Sequence, residues 1–258
     1  MQKKADLFPM AATALCVAIS IILSSFVVYI PLFGFPSVRF SFATIPVFIA
    51  GSLFGGVYGA IAGFLSDMIG FLFTSQGAPY HPGITINAIL IGLIPGLIFS
   101  HLKKHENIIN FNKVNIALGI LSLGGAIYYI NFIGIHEIEE LGTVMGVRVN
   151  IVLSLLMAVL VGGLIFIVKH IQSAFGEVDN LYAIDKIIFI SIINYGAVQL
   201  LCTPIWLSQM YNIPPLASIT VRIFKSLIDI PLQVVVIYTV IKFIPQNTKG
   251  RYILWKKN

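Results

Sequence analysis

Apolar stretches of bilayer-crossing length recur along the whole chain, and that recurrence leaves few folds open. They fall at about 7–30, 42–54, 57–73, 84–100, 115–135, 149–168, 186–207 and 217–243. Short polar or Gly/Pro-containing segments separate them. A membrane helix needs about 20 apolar residues, so the pattern predicts up to eight spans in one domain, residues 1–258. Composition agrees, because a chain that is 58% hydrophobic and 10% charged has too few polar side chains to cover a water-soluble globule. The predicted fold class is an all-α integral membrane protein with lipid as its solvent. The first stretch is long enough to span and no small-x-small cleavage site follows it, so it is expected to be a membrane helix rather than a signal peptide. Between the second and third stretches, Gly55-Gly56 leaves room only for a tight turn.

Basic residues set the expected orientation, since Lys and Arg accumulate in short cytoplasmic loops. With eight spans and cytosolic termini, twelve of the 16 basic residues lie inside, from Lys3 and Lys4 through Lys103, Lys104, Lys113, Lys169 and Lys186 to Lys257. Arg39, Arg148, Arg222 and Lys225 remain outside, and Glu137, Glu139 and Glu140 share one outer loop. The expected location is the cell membrane, multi-pass, with both termini cytosolic. Topology accounts for the net charge of +6 without a nucleic-acid partner. Cys16 and Cys202 both lie in apolar runs and read as small buried hydrophobes, neither a disulfide framework nor a metal site.

The outer cations carry the chemical interest, because a basic group beside a membrane segment must pair, snorkel or bind an anion. Arg222, Lys225 and Asp229 share one face of the last helix at helical spacing. They form either an internal Lys225–Asp229 ion pair or an anion-receiving pocket. Asp67 interrupts the third apolar run. It is a structural partner for Arg39 or Arg222, or an acceptor for a ligand's N–H groups. No phosphate-binding G-x-x-x-x-G-K-[ST] loop, spaced His/Cys cluster or nucleophile–base pair is present. The five histidines are scattered, with His81 in an outer loop where a ligand could meet it. No enzyme, cofactor or metal is expected.

The stretches VRFSFATIPVFIAGSLFGGVYGAIAGFLSDMIG at 38–70, YHPGITINAILIGLIPGLIF at 80–99 and TPIWLSQMYNIPPLASITVRIFKSLIDIPLQVVVIY at 203–238 resemble the folate-specific S components of energy-coupling factor (ECF) vitamin importers. The pattern rests on Arg39, Asp67, Pro82-Gly83, Arg222, Lys225, Pro231 and Gln233. The resemblance implies a six-helix bundle that captures a vitamin from outside. It would dock on a transmembrane coupling subunit driven by two cytoplasmic ATPases. It further implies a binding site drawn from Arg39, Asp67, Tyr80, His81, Arg222, Lys225 and Gln233. The outer cations suit folate's glutamate carboxylates, and Asp67 or Gln233 suits the pterin edge. Tyr80, Trp206, Tyr211 and Phe40 are candidates to stack on the ring, or members of an interfacial aromatic belt. Ala14 and Ala18 place two small residues on one stripe of the first helix. That stripe resembles the family's coupling-subunit contact, and alone would equally serve internal packing.

The family-like core covers about 1–101 and 185–245. Residues about 102–184 hold far more chain than the family's short link, and two extra spans fit there. An even insertion keeps the direction of the final two helices. Two alternatives stand beside folate capture. One is an S component for another vitamin. The other is an ion-coupled secondary transporter using Asp67 and Asp229, which would require internal repeats with paired broken helices. No convincing repeat is present.

Overall fold

The computed structural model describes residues 7–32, 35–74, 80–105, 111–128, 143–144, 147–148, 151, 155, 162, 182–211 and 215–244. Helix α1 is Leu7–Ser24, shorter than the expected 7–30. Ser24 turns its hydroxyl onto the Ile21 carbonyl at 2.7 Å, competing with the helical ladder. The run that follows, Val27-Val28-Tyr29-Ile30, is β-branched and aromatic and suits extended backbone. Residues Val27–Leu32 form strand β1, which pairs antiparallel with β2, Phe35–Ser41. A second short pair, β3 (Thr143–Val144) with β4 (Val147–Arg148), lies in the inserted region. These two short hairpins are additions to the expected helical class; among the described residues every long element is a helix.

Next come α2 (Thr44–Phe54), α3 (Gly56–Thr74), α4 (Pro82–His105) and α5 (Asn112–Tyr128). Gly55 alone joins α2 to α3, with φ of 97°, a conformation that costs glycine little and other residues more. The tight turn expected there is present. Helix α2 is buried from Ile45 to Phe54 without interruption, as expected of a short helix apolar on all sides. Around it, α3 and α4 approach until backbone meets backbone. A Cβ on Gly51 or Gly59 would collide with the Gly92 carbonyl, and one on Gly96 with the Gly56 amide. Glycine notches of this kind let helices close up where hydrophobic burial gives no drive for association.

The C-terminal part consists of α6 (Ile184–Tyr195), a π-helical segment Gly196–Cys202, α7 (Thr203–Tyr211) and α8 (Pro215–Phe243). A core of Phe48, Ile49, Leu53, Phe99, Tyr182, Ile187, Ile190, Val234, Ile237 and Ile241 joins α2, α4, α6 and α8. By contrast, Leu7, Leu15 and Ile22 of α1 and Val57, Leu72 and Phe73 of α3 are widely exposed, the pattern of a surface that meets lipid.

Among the described residues, four segments are long and apolar enough to cross a membrane: Leu7–Ser24, Gly56–Phe73, Pro82–Lys104 and Ile184–Tyr211. Helix α8 has the length, 29 residues or about 43 Å, but carries Arg222, Lys225, Asp229 and Lys242. The expected span at 115–135 corresponds to α5 up to Tyr128. That at 149–168 falls mostly outside the described residues, with Ile151, Leu155 and Gly162 helical. The acidic loop 137–140 and the terminal basic residues also lie outside them.

Candidate substrate-binding site

Where β2 runs into α2, the chain meets α6, the π-helical segment and α8 around a cavity of about 60 Å³. Its polar wall is Ser41, Thr44, Asn194, Tyr195, Gln199, Asp229 and Gln233, with Phe42, Ile45, Ile91, Val198 and Leu232 between them. The wider turn of a π-helix re-aims side chains, and such segments recur at functional sites. Here it runs into Pro204, whose missing N–H interrupts the ladder, while the Thr203 hydroxyl caps the Val198 carbonyl at 2.8 Å. This places Gln199 on the cavity wall.

Gln199 links the cavity to charge. Its Oε1 accepts a hydrogen bond from Arg222 Nη1, and Arg222 Nε donates to Ser218 Oγ at 3.3 Å. The Tyr195 hydroxyl donates to the Arg222 backbone carbonyl at 2.9 Å, tying α6 to α8. One turn further along α8, Lys225 Nζ lies 3.0 Å from Asp229 Oδ2. Asp229 is part of the wall, so the ion pair expected from the spacing borders the cavity. Two cations and one carboxylate leave the surroundings net positive.

Of the residues singled out in the sequence, Arg222, Lys225 and Gln233 come together here. Arg39 lies on β2 opposite Tyr29, a strand that passes beside α8; its side chain is outside the described part. Asp67, Tyr80 and His81 belong to a second cluster where α3, α4 and α7 meet. Asp67 Oδ2 accepts a 2.6 Å hydrogen bond from Thr85 Oγ1, and the Tyr80 and Thr85 hydroxyls are 2.7 Å apart. Arg222 binds Gln199 and Ser218, not Asp67, because α3 and α8 present these groups to different neighbours. Trp206 is taken up in the same cluster: it packs on His81 with ring centroids 5.7 Å apart. It also donates to Asn87 Oδ1 at 3.1 Å and covers Gly83 so closely that a Cβ there would strike the indole. Tyr80 meets Phe71 edge-on at 5.3 Å. Ala14 and Ala18 are exposed, on a face of α1 that flanks buried Thr13, Val17 and Ser20. Neither side chain is buried against the described residues. Among the described residues, no three His, Cys, Asp or Glu side chains converge in a way that could hold a metal ion.

A membrane-embedded helical chain with a polar, cation-bordered cavity is matched over residues 6–135 by the family model of the ECF-type riboflavin transporter, S component. The chain belongs to this S-component family. The family is one of transporter subunits, not of enzymes. A curated relative, the folate transporter FolT of Clostridium novyi (strain NT), is 33% identical over 88 residues. Those residues are 34% of this chain and 48% of that protein, so the chain spans about half the length of the curated relative it matches. Among solved structures, the crystal structure of FolT bound with folic acid superposes with a TM-score of 0.51 at 20% identity, covering 92% of this chain and 94% of that one. That likeness establishes a shared fold.

Proposed function

We propose that this S component is the substrate-binding subunit of an ECF-type importer and that its substrate is folate. The observation that carries the reading is the cavity bordered by Arg222 and Lys225, beside a strand that brings Arg39. A dianionic glutamate tail in a partly desolvated site gains charge-assisted hydrogen bonds of about 1.5–3 kcal/mol each. The 33% identity to a folate transporter and the fold of the folic-acid-bound FolT support it. The cavity, about 60 Å³, is well below the roughly 300–1,000 Å³ of ligand pockets. Entry of folate therefore requires the cavity to widen.

In this reading the exposed Ala14–Ala18 stripe of α1 receives the transmembrane coupling subunit, and two cytoplasmic ATPases drive uptake. The full topology is eight spans with both termini cytosolic, the core being 1–101 and 185–245 and the inserted pair 102–184. A cysteine at Gly142 reacts with an impermeant thiol reagent from outside and one at Asn247 does not. The opposite labelling would overturn this topology.

The family model's own description favours a second reading, riboflavin. Riboflavin has no carboxylate, so the cations would have nothing to neutralise. Titration of detergent-purified protein with folate and with riboflavin decides. Tight folate binding that weakens in Arg222→Ala supports the proposal. Tight riboflavin binding indifferent to Arg222 moves the assignment to the second reading, and binding of neither refutes both.

A further inference from the structure

Asn194 is 4% exposed and stands on the cavity wall. Its amide orientation is dictated by a proline on another helix. Pro95 lies inside α4 and has no N–H to return to the carbonyl four residues earlier, that of Ile91. Asn194 Nδ2 fills that role, donating to the Ile91 carbonyl at 3.2 Å. Because a carbonyl can be met only by the amide's NH2 end, Oδ1 must point the other way. Oδ1 is buried and has no hydrogen-bond partner among the described residues. Thr13, Asn115 and Ser191 also hold such an atom, but none of the three lines the cavity. A buried acceptor without a donor is costly, and because Asn194 lines the cavity, widening of the cavity around a ligand brings this acceptor within reach of the ligand's donors.

We propose that Asn194 is a specificity-determining residue. Its Oδ1 accepts a hydrogen bond from a ring N–H or ring amino group of a flat heteroaromatic ligand, and Pro95 orients it by leaving the Ile91 carbonyl free. This rests on the substrate-binding reading above and adds which face of the cavity reads the ring. Arg222 and Lys225 border the cavity from α8, whereas Asn194 stands on α6, so ring and tail are recognised by different elements. A site built around a ligand N–H discriminates strongly against analogues that lack it, since the acceptor is then left unpaired.

The test titrates full-length protein in detergent as wild type, Asn194→Leu and Pro95→Ala. The probes are folate, p-aminobenzoylglutamate (the tail without the pterin), riboflavin and 3-methylriboflavin (the ring N–H blocked). Asn194→Leu is expected to weaken folate binding about ten- to a hundredfold and to leave p-aminobenzoylglutamate, measured by competition, unchanged. Pro95→Ala supplies the missing N–H, releases the Asn194 amide, and is expected to weaken folate several-fold while the protein stays folded. Unchanged folate affinity in folded Asn194→Leu, or equal losses for folate and the pterin-free tail, overturns the proposal. Should Asn194→Leu not fold, unchanged affinity in Pro95→Ala overturns it. If the wild type takes riboflavin instead of folate, the folate assignment fails while Asn194 is still decided. Its substitution must then weaken riboflavin and leave 3-methylriboflavin untouched, and an equal effect on both refutes it. Wild-type protein that binds neither ring refutes both readings.

Discussion

Helices α2, α3 and α4 on one side and α6, the π-helical segment and α8 on the other use opposite means of packing in the same solvent. The first group removes side chains. Gly51, Gly59, Gly92 and Gly96 bring backbones into contact, and α2 is sealed on all sides. The second group keeps polar side chains and satisfies them across helices, through Tyr195 to the Arg222 carbonyl, Arg222 to Gln199 and Asn194 to Ile91. Interlocked backbone has no room to adapt, whereas side chains that bond across a cavity can exchange one partner for another. The first group is the scaffold, and under the proposed function the second recognises the substrate.

The largest effect should come from breaking the scaffold. Gly92→Leu forces a branched side chain against the Gly59 backbone, and loss of folded, monodisperse protein on size-exclusion chromatography is expected. Normal yield and affinity would show that the glycine contacts tolerate separation, removing the contrast between the two groups.

Next in size is the outer face of the scaffold. Ala14→Trp or Ala18→Trp should abolish vitamin uptake into cells or proteoliposomes holding the complete transporter, with ligand affinity within a few-fold of wild type. Parallel loss of binding and uptake would assign the stripe to the site instead.

In the recognition group, Arg222→Ala should raise the folate Kd by about one to two decades, the worth of one charge-assisted hydrogen bond, with the melting temperature little changed. The smallest effect is expected at Lys225, whose charge Asp229 already meets. Lys225→Ala should weaken folate only a few-fold and lower the melting temperature, and Lys225→Ala with Asp229→Ala should recover part of that stability. A double-mutant cycle measures the coupling; additive losses would mean that the pair does not hold the cavity wall together.

Much of the fold was legible in the sequence because its determinants are local. Spacing along one helix is enough to foresee that Lys225 meets Asp229, and the Gly55 turn follows from two adjacent glycines. The first helix was read too long because Phe26-Val27-Val28-Tyr29-Ile30 is as apolar as the helix before it. Hydropathy does not distinguish a membrane helix from a strand at its end; β-branching and the nearby Pro31, Gly34 and Pro36 were the signal. Gln199, Thr85, Asn87 and Asn194 were not singled out. Uncharged amides and hydroxyls inside apolar runs resemble ordinary membrane-helix polar residues. Only the proline at 95, four residues after Ile91, hinted that some donor would be needed.

The sequence alone determined the solvent, the helical class and the family resemblance and put Lys225 within reach of Asp229, since hydrophobic length and i,i+4 geometry act within one segment. The tertiary structure decided which polar groups converge. Asp67 went to Thr85 rather than Arg222, Trp206 to His81 and Gly83, and Asn194 to a carbonyl 103 residues away in the chain. Such meetings depend on how each helix is rotated and how closely its neighbours approach. Both are set jointly by glycine notches, a π turn and prolines on different helices, and no single stretch of sequence contains them.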